Sequence, residues 1–142
     1  MSIKTPDTPC IGICSTVYGD EVCRGCKRHY REIIDWNRYD ALKKRAVLCR
    51  LEANIVTVMR DEVEIVNAQC LQQQLDRLHI RYWQEQDPLC WAYYLLRAQH
   101  QYIDDVGKYG IKLIHFSKYN HLHQFYQVLE ATLLNRAQQT TL

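Results

Sequence analysis

The sequence has no hydrophobic run long enough to cross a membrane. Its longest apolar stretches, IVTVM and WAYYLL, are far shorter than the ~20 residues that a transmembrane helix needs. The opening segment, MSIKTPDTPC, also lacks the apolar core of a secretory signal. These absences argue against a membrane protein, and we expect a cytoplasmic protein with no membrane partner.

The sequence also lacks the common catalytic and nucleotide-binding motifs. It has no phosphate-binding loop, no dinucleotide fingerprint and no nucleophile motif. Carboxylate pairs such as Asp104 and Asp105 are adjacent in sequence and do not face each other, and they are typical of solvated helix ends. We therefore expect no catalytic residues and no enzymatic activity.

The residues that are present have the composition of an ordinary globular protein. Of 142 residues, 47% are hydrophobic and 24% are charged, which is typical of a folded domain. Helical spacing predominates, so the expected fold class is mainly α. We expect a small N-terminal tetracysteine metal-binding module with a short hairpin-like loop in residues 1–52, followed by a helical extension in residues 53–142.

Capping residues predict where several helices begin and end. Asp40 is expected to cap the helix ALKKRAVLCRLE, and Asp87 with Pro88 is expected to begin another. Gly107 and Gly110 are expected to bound the end of that helix, and Ser117 to cap the last one.

Between these helices the prediction is less regular. A helix is expected over 53–78, with a strand as the alternative at IVTV, and IKLIHF is expected to be extended beside HIRYW. Buried stripes are predicted on the two outer helices at Leu42, Ala46, Val47 and Leu51, and at Leu122, Phe125, Leu129 and Leu133.

Four cysteines cluster near the N-terminus as C-x3-C and C-x2-C, separated by eight residues. Thiolates are soft ligands that bind zinc or iron–sulfur clusters, and in a reducing compartment clustered thiols are more often ligands than disulfides. The predicted metal ligands are Cys10, Cys14, Cys23 and Cys26. The remaining Cys49, Cys70 and Cys90 fall at core-like helical positions and are predicted to be packing groups.

The residues between and after these cysteines suit a metal–thiolate group. Gly12 and Gly25 lack a Cβ, so backbone amides can turn toward sulfur. Four thiolates around zinc leave about two negative charges, which Arg24, Lys27 and Arg28 are placed to offset. His29 is a less favoured ligand and is expected at the start of a helix.

Basic residues are concentrated in the first half of the chain. Residues 1–60 carry eleven Lys and Arg against seven acids, whereas residues 61–142 carry seven against nine. This excess suits an acidic protein or a nucleic-acid backbone, or it serves in part to offset the thiolates. The candidate partner-binding residues are Arg31, Arg38, Lys43, Lys44 and Arg45.

The histidines and aromatic residues of the second half are predicted to have structural roles and no catalytic or metal-binding role. His115, His121 and His123 do not share one helical face and are predicted to be surface residues. The aromatic stretch over 79–102 is expected to pack in the core, with base stacking as the alternative.

The segments TPCIGIC, VCRGCKR and REIIDWNRYDALKKRAVL resemble the YdhL-like bacterial family, domain of unknown function 1289, whose members are described as predicted iron–sulfur proteins. The resemblance covers residues 5 to about 51. It implies that the four clustered cysteines are the ligands and that Trp36, with Ile33 and Ile34, packs the metal module. It implies no reaction.

The cysteine spacing differs from that of the familiar ferredoxins, and two short loops joined by a turn are closer to a structural zinc module. The expected function is a non-catalytic interaction module that holds structural Zn²⁺ and binds a protein partner. Two alternatives stay open: an iron–sulfur protein for electron transfer or redox sensing, and a nucleic-acid-binding accessory protein.

Overall fold

The computed structural model describes residues 8–140, and the fold is mainly helical. Short 3-10 turns lie at Ser15–Tyr18, Trp36–Arg38, Val106–Tyr109 and Phe116–Lys118. The helices and strands are α1 (Tyr30–Ile34), α2 (Ala41–Met59), β1 (Val63–Ile65), α3 (Ala68–Arg77), α4 (Pro88–Gln99), β2 (Ile111–Leu113) and α5 (Leu122–Thr140).

The chain divides into two compact units. The first contains the described residues up to Asn54 and those from Leu134 onward, and the second is Ile55–Leu133. The boundaries fall inside α2 and α5, not in a loop. No helix in the described part of the chain is long and apolar enough to cross a membrane.

The second unit is built around α4. This helix packs against α3 and β1, and six consecutive residues from Trp91 to Leu96 are buried, so it is covered on every side. Strands β1 and β2 pair antiparallel, with Val63 opposite Leu113 and Ile65 opposite Ile111. The aromatic side chains of α4 thus pack in the core, as predicted.

Several predicted helix features are confirmed. Asp87 accepts a hydrogen bond of 2.9 Å from the Leu89 amide, and Pro88 is the first residue of α4. Asp40 accepts one of 2.8 Å from the Lys43 amide at the start of α2. The stripe predicted on α5 is buried at all four positions, namely Leu122, Phe125, Leu129 and Leu133.

The helix predicted over 53–78 is wrong. Helix α2 continues to Met59, strand β1 follows, and only 68–77 form a further helix, α3. The segment IKLIHF does contain a strand, as expected, but this strand, β2, pairs with β1 and not with HIRYW. Met59, Val63 and Val66 are four and three residues apart, a spacing that also fits one face of a helix. Gly110 ends the preceding turn in a left-handed conformation, and its carbonyl accepts hydrogen bonds from both Val66 and Asn67, which follow β1.

Other corrections concern helix ends and exposure. Helix α4 ends at Gln99, well before Gly107 and Gly110, which lie in a separate 3-10 turn. Ser117 also lies in a 3-10 turn, and α5 begins at Leu122. On α2, Val47 and Leu51 are buried, whereas three residues predicted to be buried are exposed because they lie on its solvent side: Leu42, Ala46 and Cys49.

Candidate metal centre

The segment that carries Cys23 and Cys26 forms a tight turn closed by backbone hydrogen bonds. The Cys23 amide donates to the Arg28 carbonyl at 2.9 Å, and the Lys27 amide donates to the Cys23 carbonyl at 2.8 Å. Val22 and His29 form an antiparallel bridge on either side of the turn. Lys27 completes it with a φ of +66°, a left-handed conformation that a residue with a Cβ seldom adopts.

This turn directs backbone amides at the Cys23 sulfur. Burial raises the pKa of the Cys23 thiol, but hydrogen bonds from the backbones of Cys26, Ser15 and Gly25 and from the Cys26 side chain bring it below its ordinary value. Donors aimed at sulfur stabilise the thiolate form, which is the form that binds a metal.

The first pair of cysteines lies on a loop with a related arrangement. Gly12 has a φ of +86°, and its amide donates to the Cys10 sulfur at 3.4 Å. The Cys14 sulfur lies 3.0 Å from the Thr16 hydroxyl. The following segment is the 3-10 turn Ser15–Tyr18, so the hairpin-like loop predicted between the two pairs is wrong, although Gly19 does reverse the chain in a left-handed conformation.

The two cysteine loops lie against each other. A Cβ added at Gly25 would meet the Ile13 carbonyl oxygen at 2.8 Å, so the loops are too close there for any other residue without movement. The Cys23 thiol donates to that same carbonyl at 3.4 Å, and the Arg24 amide donates to the Ser15 hydroxyl at 2.8 Å. Gly25 therefore sets the distance between the loops.

Arg28 is the charged residue placed closest to the sulfurs. Only 3% of it is exposed, and its Nε donates to the Cys26 sulfur at 3.3 Å. Its guanidinium also lies over the Trp36 ring, 4.9 Å from the ring centre. Among residues 8–140 it forms no ion pair with a carboxylate. Burial raises the pKa of the Cys26 thiol, and Arg28 opposes that rise in part.

The other two predicted basic neighbours of the sulfurs are placed differently. Lys27 is buried, and its ammonium donates to the carbonyl oxygens of Arg24 and Gly25. The Arg24 side chain is exposed and pairs with Asp20 at 3.2 Å. Arg24 therefore contributes its backbone to the turn, while its charge faces solvent.

The types of group on the two loops, namely thiols, amide donors and a buried cation, are those that a metal–thiolate group needs. The side chains of Cys23 and Cys26 are hydrogen-bonded, amides are directed at the Cys23 and Cys10 sulfurs, and the guanidinium beside Cys26 lacks a carboxylate partner within the described chain. Within residues 8–140, however, no three His, Cys, Asp or Glu side chains are arranged so as to hold an ion. The four-cysteine site thus stays a prediction.

Helices α1 and α2 hold the turn in place through contacts that the sequence pattern did not predict. His29 caps α1, and the Glu32 side chain accepts a hydrogen bond from the His29 amide, which completes a capping box. Glu32 is also paired with Arg50. The spacing of His29 and Glu32 is a recognisable capping signal, whereas the partnership with Arg50 is not visible from spacing. Trp36 packs with Val47 and Leu51 in a small core of its own.

The remaining predicted residues have mixed positions. Ile34, which was expected to pack the module, is 70% exposed. Ile34, Tyr30 and Val17 line a shallow depression of about 390 Å³. The candidate partner-binding residues Arg31, Arg38 and Lys43 are exposed, and Lys44 and Arg45 are half-buried.

In the second unit, Cys90 is placed as predicted and His123 is not. Cys90 is fully buried, as expected of a packing group. His123 is not a plain surface residue, because its ring stacks on His100 at 4.9 Å and its Nδ1 atom is buried.

Comparison with known proteins bears on the first unit alone. Residues 8–54 match the family described as protein of unknown function, DUF1289. That description names neither a metal nor a reaction. No curated protein and no solved structure matches the chain.

Proposed function

We propose that residues 8–54 form a structural zinc module in which Cys10, Cys14, Cys23 and Cys26 bind Zn²⁺. The observation that carries the proposal is the burial of Arg28 against the Cys26 sulfur. A buried guanidinium is costly unless an anion lies beside it, and within residues 8–140 its anionic neighbour would be a thiolate. A zinc–tetrathiolate group carries the negative charge that this position requires.

Bound zinc would have a structural role, which is to order the two cysteine loops. A shell of four thiolates has no open position for water or substrate, so the bound ion would stabilise the two loops without catalysing a reaction. The amides directed at Cys23 and Cys10 and the Arg28 guanidinium would then stabilise the sulfur ligands.

The metal content of the protein tests this proposal. We expect the full chain, purified without oxygen, to contain one zinc per molecule by elemental analysis and to be colourless. Cys23→Ser should lose the metal and the order of the first unit. Cys49→Ser is the matched control, because Cys49 is exposed and away from the turn, and it should retain both. Protein that contains iron and has a visible absorbance bleached by dithionite would overturn the zinc assignment in favour of an iron–sulfur cluster. Protein without metal would overturn both assignments.

We further propose that the module presents its exposed apolar residues to a protein partner. The depression lined by Val17, Tyr30 and Ile34 is mostly apolar, with Asp20 and Glu21 also in its lining, and exposed apolar patches often mark interaction sites. Such a surface favours a protein over a nucleic acid, whose phosphates would need a cationic groove.

A capture experiment on the full chain tests the surface. Ile34→Asp should lose a bound protein that the parent chain retains after nuclease treatment. Leu42→Asp is the control, because Leu42 is equally exposed but does not line the depression. Loss of binding in both variants, or sensitivity to nuclease, would contradict the proposal.

A further inference from the structure

The second unit contains an apolar cavity of about 500 Å³ that is separate from the cysteine loops. It is lined by β2, by residues 103–107, by Val66 after β1, by Phe116, and by Leu122 at the start of α5. Ile111 and Leu122, which belong to the buried core, form part of the lining, so the cavity extends inward from the surface. Val66 and Phe116 line it with side chains that are 65% and 41% exposed. This volume is in the range of pockets that hold small organic molecules.

Two carboxylates, Asp104 and Asp105, also line this cavity. Asp105 is fixed in position, because its Oδ1 accepts a hydrogen bond of 2.9 Å from the Gly107 amide. Asp104 is 3.6 Å from the Lys108 ammonium, but both side chains are largely exposed and such a pair is weak. Lys112 is a cation in the lining, and it lies opposite Glu64 across the strand pair.

An apolar wall with carboxylates on it is complementary to a molecule with an apolar body and a cationic head. Burial of the hydrocarbon part would supply most of the affinity, while the carboxylates would select the charge of the head group. Phe116 adds an aromatic ring that attracts a cation.

We propose that this cavity binds a small organic amine, in which a protonated amino group is carried on an aromatic or aliphatic body. The apolar body would lie against Ile111, Leu122 and Phe116, and the ammonium would lie beside Asp104 and Asp105. The proposal is independent of the zinc module, since none of these residues belongs to the first unit.

Three probes with the same hydrocarbon body and different head groups test the proposal: phenylbutylamine, phenylbutanol and phenylbutyrate. In heteronuclear NMR titrations of the full chain, the amine should shift the resonances of residues around Ile111 and bind about threefold or more tighter than the alcohol. The acid should bind weakest. The preference for the amine should shrink as salt is added, because the carboxylates are exposed.

Variants separate the two parts of the site. The double variant D104N/D105N keeps the hydrogen-bond acceptor for the Gly107 amide, so it should remain folded and bind amine and alcohol equally. Phe116→Ala should weaken the binding of all three probes. Equal affinity of the parent chain for all three heads, an amine preference that survives in D104N/D105N, or no shift around Ile111 would each overturn the proposal.

Discussion

Arg50 of α2 donates two parallel hydrogen bonds of 2.6 Å to the carboxylate of Glu32 on α1. The same carboxylate accepts the His29 amide at 2.9 Å, three residues after the last clustered cysteine. A single side chain thus joins the end of the cysteine turn to α2, and its side chain is only 7% exposed.

Replacing Glu32 by Gln should destabilise the first unit. The change leaves the Arg50 guanidinium, which is mostly buried, without its carboxylate, and we expect the free energy of unfolding to fall by about 2–3 kcal/mol. Asp35→Asn is the control, because its pair with Arg38 is exposed and 3.8 Å long, and it should cost less than about 0.5 kcal/mol. Denaturant unfolding followed by circular dichroism measures both. Equal losses of stability in the two variants would show that the buried Glu32–Arg50 pair contributes no more than an exposed pair.

The same ion pair should make stability depend on pH. Burial raises the pKa of Glu32, but the Arg50 guanidinium and the His29 amide bring it below the ordinary 4.5. A carboxyl group with a lowered folded pKa contributes stability that is complete above about pH 4.5 and is lost as pH falls through the folded value. The stability difference between the parent chain and E32Q should therefore narrow below that pH. A difference that stays constant with pH would refute this.

Arg28→Met should weaken the zinc binding that we propose for the first unit. The substitution keeps an apolar side chain against Trp36 but removes the donor to the Cys26 sulfur, and we expect zinc affinity to fall about tenfold to a hundredfold. Competition with a coloured chelator measures the affinity. Arg24→Met is the control, because the Arg24 side chain pairs with Asp20 and should leave affinity unchanged. Unchanged affinity in R28M would show that the guanidinium does not stabilise the ligand.

Gly25→Ala should destabilise the cysteine loops. The added methyl group would lie 2.8 Å from the Ile13 carbonyl oxygen, and a close contact with backbone forces the loops apart at a cost of about 1–3 kcal/mol. Thermal unfolding, measured with and without added zinc, gives the loss of stability. Truncating the nearby Ile11 in the same variant should not restore stability, because the closest contact is with backbone. Restoration by that change would place the strain at the Ile11 side chain instead.

Tyr93→Phe tests the core of the second unit. The Tyr93 hydroxyl is buried and donates to the Glu130 carboxylate, so its removal should cost about 1–3 kcal/mol. Tyr102→Phe should have no measurable effect, because Tyr102 is 74% exposed. Differential scanning calorimetry compares the two variants. A Tyr93 variant as stable as the parent chain would show that the hydrogen bond contributes nothing net.

The features predicted correctly from the sequence are those set by residues close together in the chain, such as helix caps and the buried face of a helix. The start of α4 follows from Asp87 and Pro88, and the buried stripe of α5 follows from its spacing, because both effects act within one helix. Strand β1 was missed, since three residues cannot distinguish the two periodicities and the strand is fixed by its pairing with β2. Leu42 was predicted to be buried but is exposed. Spacing shows which residues share a helical face, but it does not show how much of that face other elements bury.

For the candidate site, the cysteine spacing selected the two loops, and their role as metal ligands stays a prediction. The Gly12 amide does donate to the Cys10 sulfur, whereas the close approach of Gly25 to the Ile13 carbonyl was not predicted. The contact partners were not, because the positions of Arg28 over Trp36 and of Glu32 beside Arg50 depend on how α1 and α2 pack. Charge alone assigned Arg24 and Arg28 the same role, whereas the fold turns one to solvent and the other to sulfur.

Because Lys27 combines a left-handed backbone with side-chain hydrogen bonds, no single substitution at this position is expected to preserve both features of the turn. Glycine at that position would ease the backbone but forfeit the ammonium that bonds to Arg24 and Gly25, and a β-branched residue would have neither advantage. A synthetic peptide intended to reproduce the turn would therefore need lysine itself, chosen for the shape of its main chain and the reach of its side chain together.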